Sequence, residues 1–284
     1  MRLPDFIRRA VTPGVNYAEL VRRSLASAFS IAKGWHVTDS LGRRKKFGVI
    51  VPSTNTSVQP EYDEMRPRGV TNHISRISIP DTRVTDDDSF MVMLNNIRAA
   101  TLGAVDDVMS MSPDYVIMGM SAETFWDGAE GADKMLNDLQ ARTGKGVAMG
   151  SHACDAAIKC YGDIKRIGII TPYMPVGDSQ VRQFFEDSGY EVMAIEGLQC
   201  ASPSLIAHEQ PLDLKRAVEK VNDAQVEAVI QCGTNLAFGR VAAMAEFWLE
   251  KPVIAINTAT YWYALRQNGI TDKIDGYGSL LMDY

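Results

Sequence analysis

The sequence predicts an α/β protein of two similar halves. Each half is an open, mostly parallel sheet flanked by helices, and the active site lies in the cleft between them. Three observations predict this. Short apolar runs rich in β-branched residues alternate with segments of helical periodicity. The chain also contains its own pattern twice. Asp114–Phe125 lines up without gaps with Glu227–Phe238, matching the acid, the Val-Ile pair and the final Phe. Lys46-Phe-Gly-Val-Ile-Val-Pro52 resembles Arg166-Ile-Gly-Ile-Ile-Thr-Pro172, and Lys145–Ala153 resembles Lys251–Ala259, in the same order. Finally, the apolar runs end in loops of Ser, Thr, Asn and Gly, and open parallel sheets bind ligands at such strand ends.

The elements follow in order. Phe47–Val51 reads as the first buried strand, and Pro52-Ser-Thr-Asn-Thr-Ser57 as the polar loop after it. That loop suits a carboxylate or simply caps a helix. Val70–Ile79 alternates as a strand, Pro80–Asp88 is an acidic loop, and Met91–Met109 is an amphipathic helix. Tyr115–Met118 is the third strand, Gly128–Thr143 a helix, and Val147–Met149 a strand running into Ser151-His152. The second half reads as strand Arg166–Ile170, helix Asp178–Gly189, strand Glu191–Gly197 and helix Pro211–Ala224. Strand Val226–Ile230, helix Phe238–Leu249 and strand Val253–Ile256 come next. Asn257-Thr-Ala-Thr260 reads as a polar loop before a helix over Tyr261–Asn268.

Composition sets the class. With 284 residues, 46% apolar and 23% charged, the chain has the make-up of a soluble globular protein with a large core. A net charge of -6 weighs against a nucleic-acid partner, and no stretch nears the roughly 20 apolar residues of a membrane span. Cys154, Cys160, Cys200 and Cys232 show neither a Cys-x-x-Cys pair nor zinc spacing, so neither metal nor cofactor is expected. The expected compartment is the cytoplasm. Three segments are expected: residues 1–46, a basic arm; 47–160, the first half; and 161–284, the second half with Cys232. The last helix or strand is open to exchange between halves. Residues 1–46 carry ten Lys/Arg against three Asp/Glu, with an amphipathic helix over 17–33. The arm suits packing on the body or on another copy in a homo-oligomer, the alternative being an Arg-rich sorting signal.

Cys232 is the residue best placed for chemistry. It sits where strand Val226–Ile230 ends and a helix is about to begin, although a free Cys is more often a buried, inert one. There is no Gly-rich phosphate loop, no His-Glu-x-x-His and no Gly-x-Ser-x-Gly elbow. What remains is one thiol, Tyr173, and loops rich in hydroxyl and amide groups. Such a set can hold a carboxylate, stabilise an enediolate and move a proton at carbon. Ser121 is a candidate donor. Glu123 and His152 are candidate second acid/base groups, with helix-start, capping or core roles as the plain alternatives.

From Phe47 to Leu281 these motifs resemble the cofactor-independent aspartate/glutamate racemase superfamily, in its arylmalonate decarboxylase and maleate cis-trans isomerase branch. Val51-Pro-Ser-Thr-Asn-Thr56 looks like the isomerase branch's first loop, which gives Asn55 a carboxylate-binding role beside Ser53 and Thr54. Gln231-Cys-Gly-Thr-Asn235 looks like the second cysteine motif, making Cys232 the proton donor with Gly233, Thr234 and Asn235 around the substrate. Thr171-Pro-Tyr173 matches the carboxylate-binding Tyr loop. Asn257–Arg266 and Gly276-Tyr-Gly-Ser-Leu280 resemble the C-terminal signature. The racemases and isomerases carry a first-half Cys as well. Here that region reads Gly119-Met120-Ser121, with Met120 in the place of the Cys, or Gly119 if the gapless repeat is followed. The resemblance therefore implies a one-cysteine enzyme that decarboxylates a malonate-type or related small dicarboxylic acid. The alternatives are a maleate-type isomerase or an Asp/Glu/hydantoin-type racemase with a non-cysteine second group, and a carboxylate-binding protein without turnover.

Overall fold

Strands form where the apolar, β-branched runs are read, and nearly every residue of the inner strands is buried, as strands covered on both faces by helices require, while the two edge strands are partly exposed. A computed structural model describes residues 38–284; the helix expected over 17–33 lies outside them. The body, Leu41–Tyr284, holds two four-stranded parallel sheets. The first has the order β2-β1-β3-β4, from β1 (Lys45–Pro52), β2 (Val70–Ile77), β3 (Tyr115–Met118) and β4 (Val147–Met149). Its helices are α1 (Val58–Glu64), α2 (Asp87–Met109), α3 (Gly128–Thr143) and α4 (Gly150–Cys160). The second sheet repeats that order as β6-β5-β7-β8, from β5 (Arg166–Thr171), β6 (Glu191–Gly197), β7 (Ala228–Gln231) and β8 (Val253–Ala255). Its helices are α5 (Pro175–Asp187), α6 (Pro211–Val221), α7 (Gly239–Leu249), α8 (Ile256–Gln267) and the short α9 (Ser279–Asp283). No helix among the described residues is long and apolar enough to cross a membrane.

The repeated residues do the same work in both sheets. The acid before β3, Asp114, accepts the Lys46 N–H at 2.8 Å; its counterpart Glu227 accepts those of Lys165 and Arg166 at 2.7 and 2.9 Å. Each carboxylate thus ties the start of one central strand to its neighbour. Gly48 and Gly168 also correspond. A Cβ at Gly48 would stand 2.9 Å from the Val108 side chain, and one at Gly168 would stand 2.6 Å from the Val221 carbonyl. The bare backbone lets the end of α2 or α6 close on the sheet.

Several boundaries differ from the sequence reading. Helix α2 begins at Asp87, capped by Asp86, rather than at Met91, and α6 ends at Val221 rather than Ala224. Three others have a visible physical cause. Asn257–Thr260 is not a loop but the first turn of α8, which begins directly after β8. Asn and Thr usually favour caps and turns because their side chains compete for backbone partners. Here Thr260 satisfies its hydroxyl on the Ile256 carbonyl at 2.7 Å, and Asn257 finds partners outside the helix. Helix α5 starts at Pro175 rather than Asp178, because proline is preorganised for a first helical turn. Strand β7 begins at Ala228, two residues late, because Glu227 is occupied in stapling β5.

Helix α8 follows the second sheet in sequence but packs on α1, α4, β3 and β4 of the first half. The fully buried Tyr261 ring lies 5.9 Å from that of Phe47 and 4.8 Å from that of Tyr62, and its hydroxyl donates to Asn72 at 3.0 Å. In the other direction, α4 touches β8, and Asp155 accepts the Tyr190 hydroxyl at 2.9 Å. One apolar core therefore runs through both halves. Tyr261→Ala is expected to cost about 3–5 kcal/mol in urea unfolding, against about 1 kcal/mol for Tyr261→Phe. Near-equal losses would show that the hydroxyl, not ring packing, locks α8 on the first half.

Candidate active site

The two sheets bring four strand-end loops together. The loop after β1 supplies Pro52, Thr54 and Asn55, and the turn after β3 supplies Met120, Ser121 and Ala122. Pro172 and Tyr173 follow β5, and Gly233, Thr234 and Asn235 follow β7. They enclose a cavity of about 50 Å³. Its remaining wall is apolar, with Ile79, Met93 and Ile97 from the β2–α2 region and Ile206 from the second half. Among the described residues, no Asp, Glu, Lys, Arg or His lines it. The described lining thus combines neutral polar groups with aliphatic side chains.

Thr234 is the centre of the polar cluster. Its N–H donates to Ser121 Oγ at 3.0 Å. Its Oγ1 accepts from Asn55 Nδ2 at 3.3 Å and donates to the Gly119 carbonyl at 3.2 Å. Its carbonyl accepts from Asn257 Nδ2 at 2.9 Å. Ser121 Oγ lies 2.6 Å from the Tyr173 hydroxyl, which joins the two halves again. Asn55 Oδ1 meanwhile accepts the Ser57 and Val58 N–H groups and so starts α1. Asn235 holds the same loop from the second half, accepting the Thr56 N–H at 2.9 Å and donating to the Pro203 carbonyl at 2.8 Å. Between Cys232 and Thr234, the backbone passes through Gly233 at φ +125°, and a Cβ there would stand 2.3 Å from Pro172. Glycine is required on both counts.

Cys232 is fully buried and does not itself line the cavity, although its neighbours Gly233 and Thr234 do. Burial first, and then the adjacent Cys154 thiol of α4, push its pKa well above the usual thiol value. It is held as S–H at neutral pH and is suited to giving a proton rather than attacking as a thiolate. Burial also raises the Tyr173 hydroxyl, so it stays a neutral donor. Tyr173 is set by Thr171, whose Oγ1 accepts the Tyr173 N–H at 3.1 Å and is itself bonded to Asp178 of α5. Burial pushes Asp178 up to about 6, against the pull of the Thr171 hydroxyl.

The remaining expected residues lie elsewhere. Ser53 is outside the cavity and braces Ile79, accepting its N–H and donating to its carbonyl, both at 3.1 Å. Glu123 forms an ion pair with Arg98 at 2.8 Å beside Trp126. His152 pairs with Asp133 at 2.8 Å. Neither lines the cavity. No group of three or more metal-ligating side chains occurs among the described residues. The position opposite Cys232 is Gly119 rather than Met120. The Gly119 N–H bonds the Ile50 carbonyl of β1 and the Cys232 N–H bonds the Ile170 carbonyl of β5, each at 2.8 Å. Met120 is instead an apolar cavity wall. Sequence reasoning missed Cys154, Asp178, Glu61 and the aliphatic wall, whose side chains approach the site from helices and loops remote in the chain.

A family model described as arylmalonate decarboxylase matches residues 47–281. The chain is 24% identical to a maleate isomerase of Pseudomonas putida over 248 residues, covering 83% of this chain and 96% of that protein. Among solved structures, it resembles a Nocardia farcinica maleate cis-trans isomerase variant with a covalently bound succinylcysteine intermediate. The TM-score is 0.75 at 18% identity, over 84% of this chain and 99% of that one. An arylmalonate decarboxylase crystal structure matches with TM-score 0.64 at 17% identity, over 83% and 98% of the two chains.

If burial governs Cys232, iodoacetamide should label it in the native protein at least about tenfold more slowly than in urea at the same pH. Peptide-resolved mass spectrometry would follow each cysteine. Labelling of Cys232 as fast as in urea would contradict a buried, protonated thiol.

Proposed function

The chain belongs to the arylmalonate decarboxylase family, whose relatives are decarboxylases and isomerases, and we propose that it decarboxylates a small substituted malonate, with Cys232 as the single proton donor. The observation that carries this reading is the lining of the cavity. It combines the neutral polar Asn55, Ser121, Tyr173, Gly233 and Thr234 with the aliphatic Ile79, Met93, Ile97, Met120 and Ile206. One carboxylate would be held by hydrogen bonds from the polar groups. The other would face groups that offer it no partner, where an anion is costly and neutral carbon dioxide is not.

In this mechanism the bond from the α-carbon to the unpartnered carboxylate breaks and carbon dioxide leaves. The electron pair stays on the α-carbon and spreads into the retained carboxylate as an enediolate. Ser121 and Tyr173, with the Gly233 N–H, stabilise the developing charge as donors, and Thr234 fixes Ser121 in place. The Cys232 thiol turns from Cys154 toward the cavity and gives its proton to the α-carbon, and the thiolate recovers a proton from solvent. An enediolate is a far stronger base than a thiolate, so even a thiol of raised pKa can supply the proton.

The full-length likeness to maleate isomerases favours cis-trans isomerisation as the second reading. That reading requires a different second group here, because the strand end opposite Cys232 carries Gly119 and neither Glu123 nor His152 lines the cavity.

Proton NMR in deuterated water, with alkyl- and arylmalonates, maleate and amino acids, tests the proposal. Loss of carbon dioxide with one deuteron placed on the product carbon is expected. Cys232→Ala should lower kcat by about a thousandfold, and Tyr173→Phe or Ser121→Ala by about a hundredfold. Cis-trans conversion or deuterium exchange without carbon loss would replace decarboxylation with the isomerase or racemase reading.

A further inference from the structure

We propose that Glu61 is a positioning residue of this site: its carboxylate, acting through the Asn257 amide, fixes the Thr234 carbonyl and with it the donor loop Gly233–Thr234. This deepens the reading above and depends on it only for the activity arm of the test.

Glu61 belongs to α1 of the first half, yet both its oxygens are bound by the second half. Oε1 accepts the N–H of Gly239, the first residue of α7, at 3.0 Å. Oε2 accepts from Asn257 Nδ2, in the first turn of α8, at 2.6 Å. The same Nδ2 donates its other proton to the Thr234 carbonyl at 2.9 Å. One buried amide therefore joins a carboxylate outside the cavity to the residue at its centre. Glu61 opens instead on a separate cleft of about 340 Å³ with Glu64, Arg240 and Tyr277.

The amide has one workable orientation. Glu61 and Thr234 both present acceptors, so the NH₂ group must face them. It does so even though Asn257 Oδ1 is then buried without a partner. Protonation of Glu61 removes that discrimination. A carboxyl O–H would meet an N–H, and turning the amide to relieve it would set Oδ1 against the Thr234 carbonyl. The ionised carboxylate, an acceptor at both oxygens, therefore holds the amide and the loop more firmly than the protonated form does.

The titration falls where it matters. Burial pushes Glu61 from 4.5 up to about 7, with the Asn257 and Gly239 donors pulling the other way. The groups facing it are Glu64 and Tyr62 of its own helix, Arg240 of α7 and Tyr277 of the C-terminal segment; α8 presents only the neutral Asn257. Glu64 adds to the rise, and Arg240 opposes it. The sign of the stability effect is opposite to that of the positioning effect. A carboxyl with a raised folded pKa stabilises fully below about 4.5, and that contribution is lost as pH rises through about 7. Ionisation thus orders the loop while it weakens the fold, and a merely structural glutamate would not separate the two.

The full-length protein and Glu61→Gln would be followed by amide NMR between about pH 5.5 and 8.5. The Thr234 backbone amide and Asn257 side-chain amide should titrate with a midpoint near 7 in the wild type and stay flat in the variant. With an active malonate, wild-type kcat/KM should lose activity on the acid side around the same pH. Glu61→Gln should lack that limb and run about tenfold lower at pH 8. Its melting temperature at pH 8 should not fall below that of the wild type, because it carries no buried charge. The proposal is overturned if the Thr234 amide does not titrate, if it titrates unchanged in Glu61→Gln, or if that variant keeps wild-type kcat/KM and its acid limb. The NMR result requires no substrate, so failure of the decarboxylase reading leaves it decisive.

Discussion

Every polar backbone and side-chain atom of Thr234 is spoken for, and the site depends on that constraint. Its amide is held by Ser121, its hydroxyl by Asn55 and Gly119, and its carbonyl by Asn257. Three of these four partners come from the first half, although Thr234 belongs to the second. A loop at the end of one sheet is therefore shaped by the other sheet. Buried polar groups in such a network are costly to leave unpaired, so the halves can dock well in only one register. The crossed packing of α8 gives that docking its apolar component, with Tyr261 set between Phe47 and Tyr62.

The electrostatics follow from the same closure. A cavity with no charged side chain among its described walls would offer the proposed substrate carboxylate hydrogen bonds but no counter-ion. Fixed neutral dipoles in a dry site can stabilise a delocalised enediolate without neutralising it. Burial acts on four titratable groups around the site in the expected direction. The thiol of Cys232 and the hydroxyl of Tyr173 stay protonated, and the carboxyls of Asp178 and Glu61 are pushed toward neutral pH. Under the proposed chemistry the donors would stand where an anion forms, while Asp178 and Glu61 lie outside the cavity lining.

Much of this was legible in the sequence because it is local. Continuous β-branched runs specify buried strands, and the repeat gave both sheets their shared order. The loops carrying Asn55, Ser121, Tyr173 and Thr234 were readable because a polar cluster after such a strand has few structural uses. What was not legible depends on long-range packing. The spacing of Asn257–Thr260 cannot show that a glutamate about 200 residues earlier will take up the asparagine amide. Cys154 looked like any core cysteine because only the crossing of α4 brings it beside Cys232. Glu123 and His152 drew notice as titratable residues after strands, yet Arg98 and Asp133 engage them away from the cavity.

The absent first-half cysteine is a matter of packing as well as of residue identity. The repeat and the matching backbone bonds to Ile50 and Ile170 put Gly119 opposite Cys232. A Cβ at Gly119 would stand 2.4 Å from Val51 and 3.0 Å from Val58, both fully buried. It would also stand 3.2 Å from the Ile50 carbonyl, which is backbone and cannot turn aside. A second thiol there would require the β1 strand end and the start of α1 to move, and Asn55 is what starts α1. The same crowding that excludes a side chain from Gly119 leaves its carbonyl free to accept the Thr234 hydroxyl. In this chain the bare strand end of one half is part of what holds the cysteine loop of the other, so the single thiol at these two strand ends and the docking of the halves are the same structural choice.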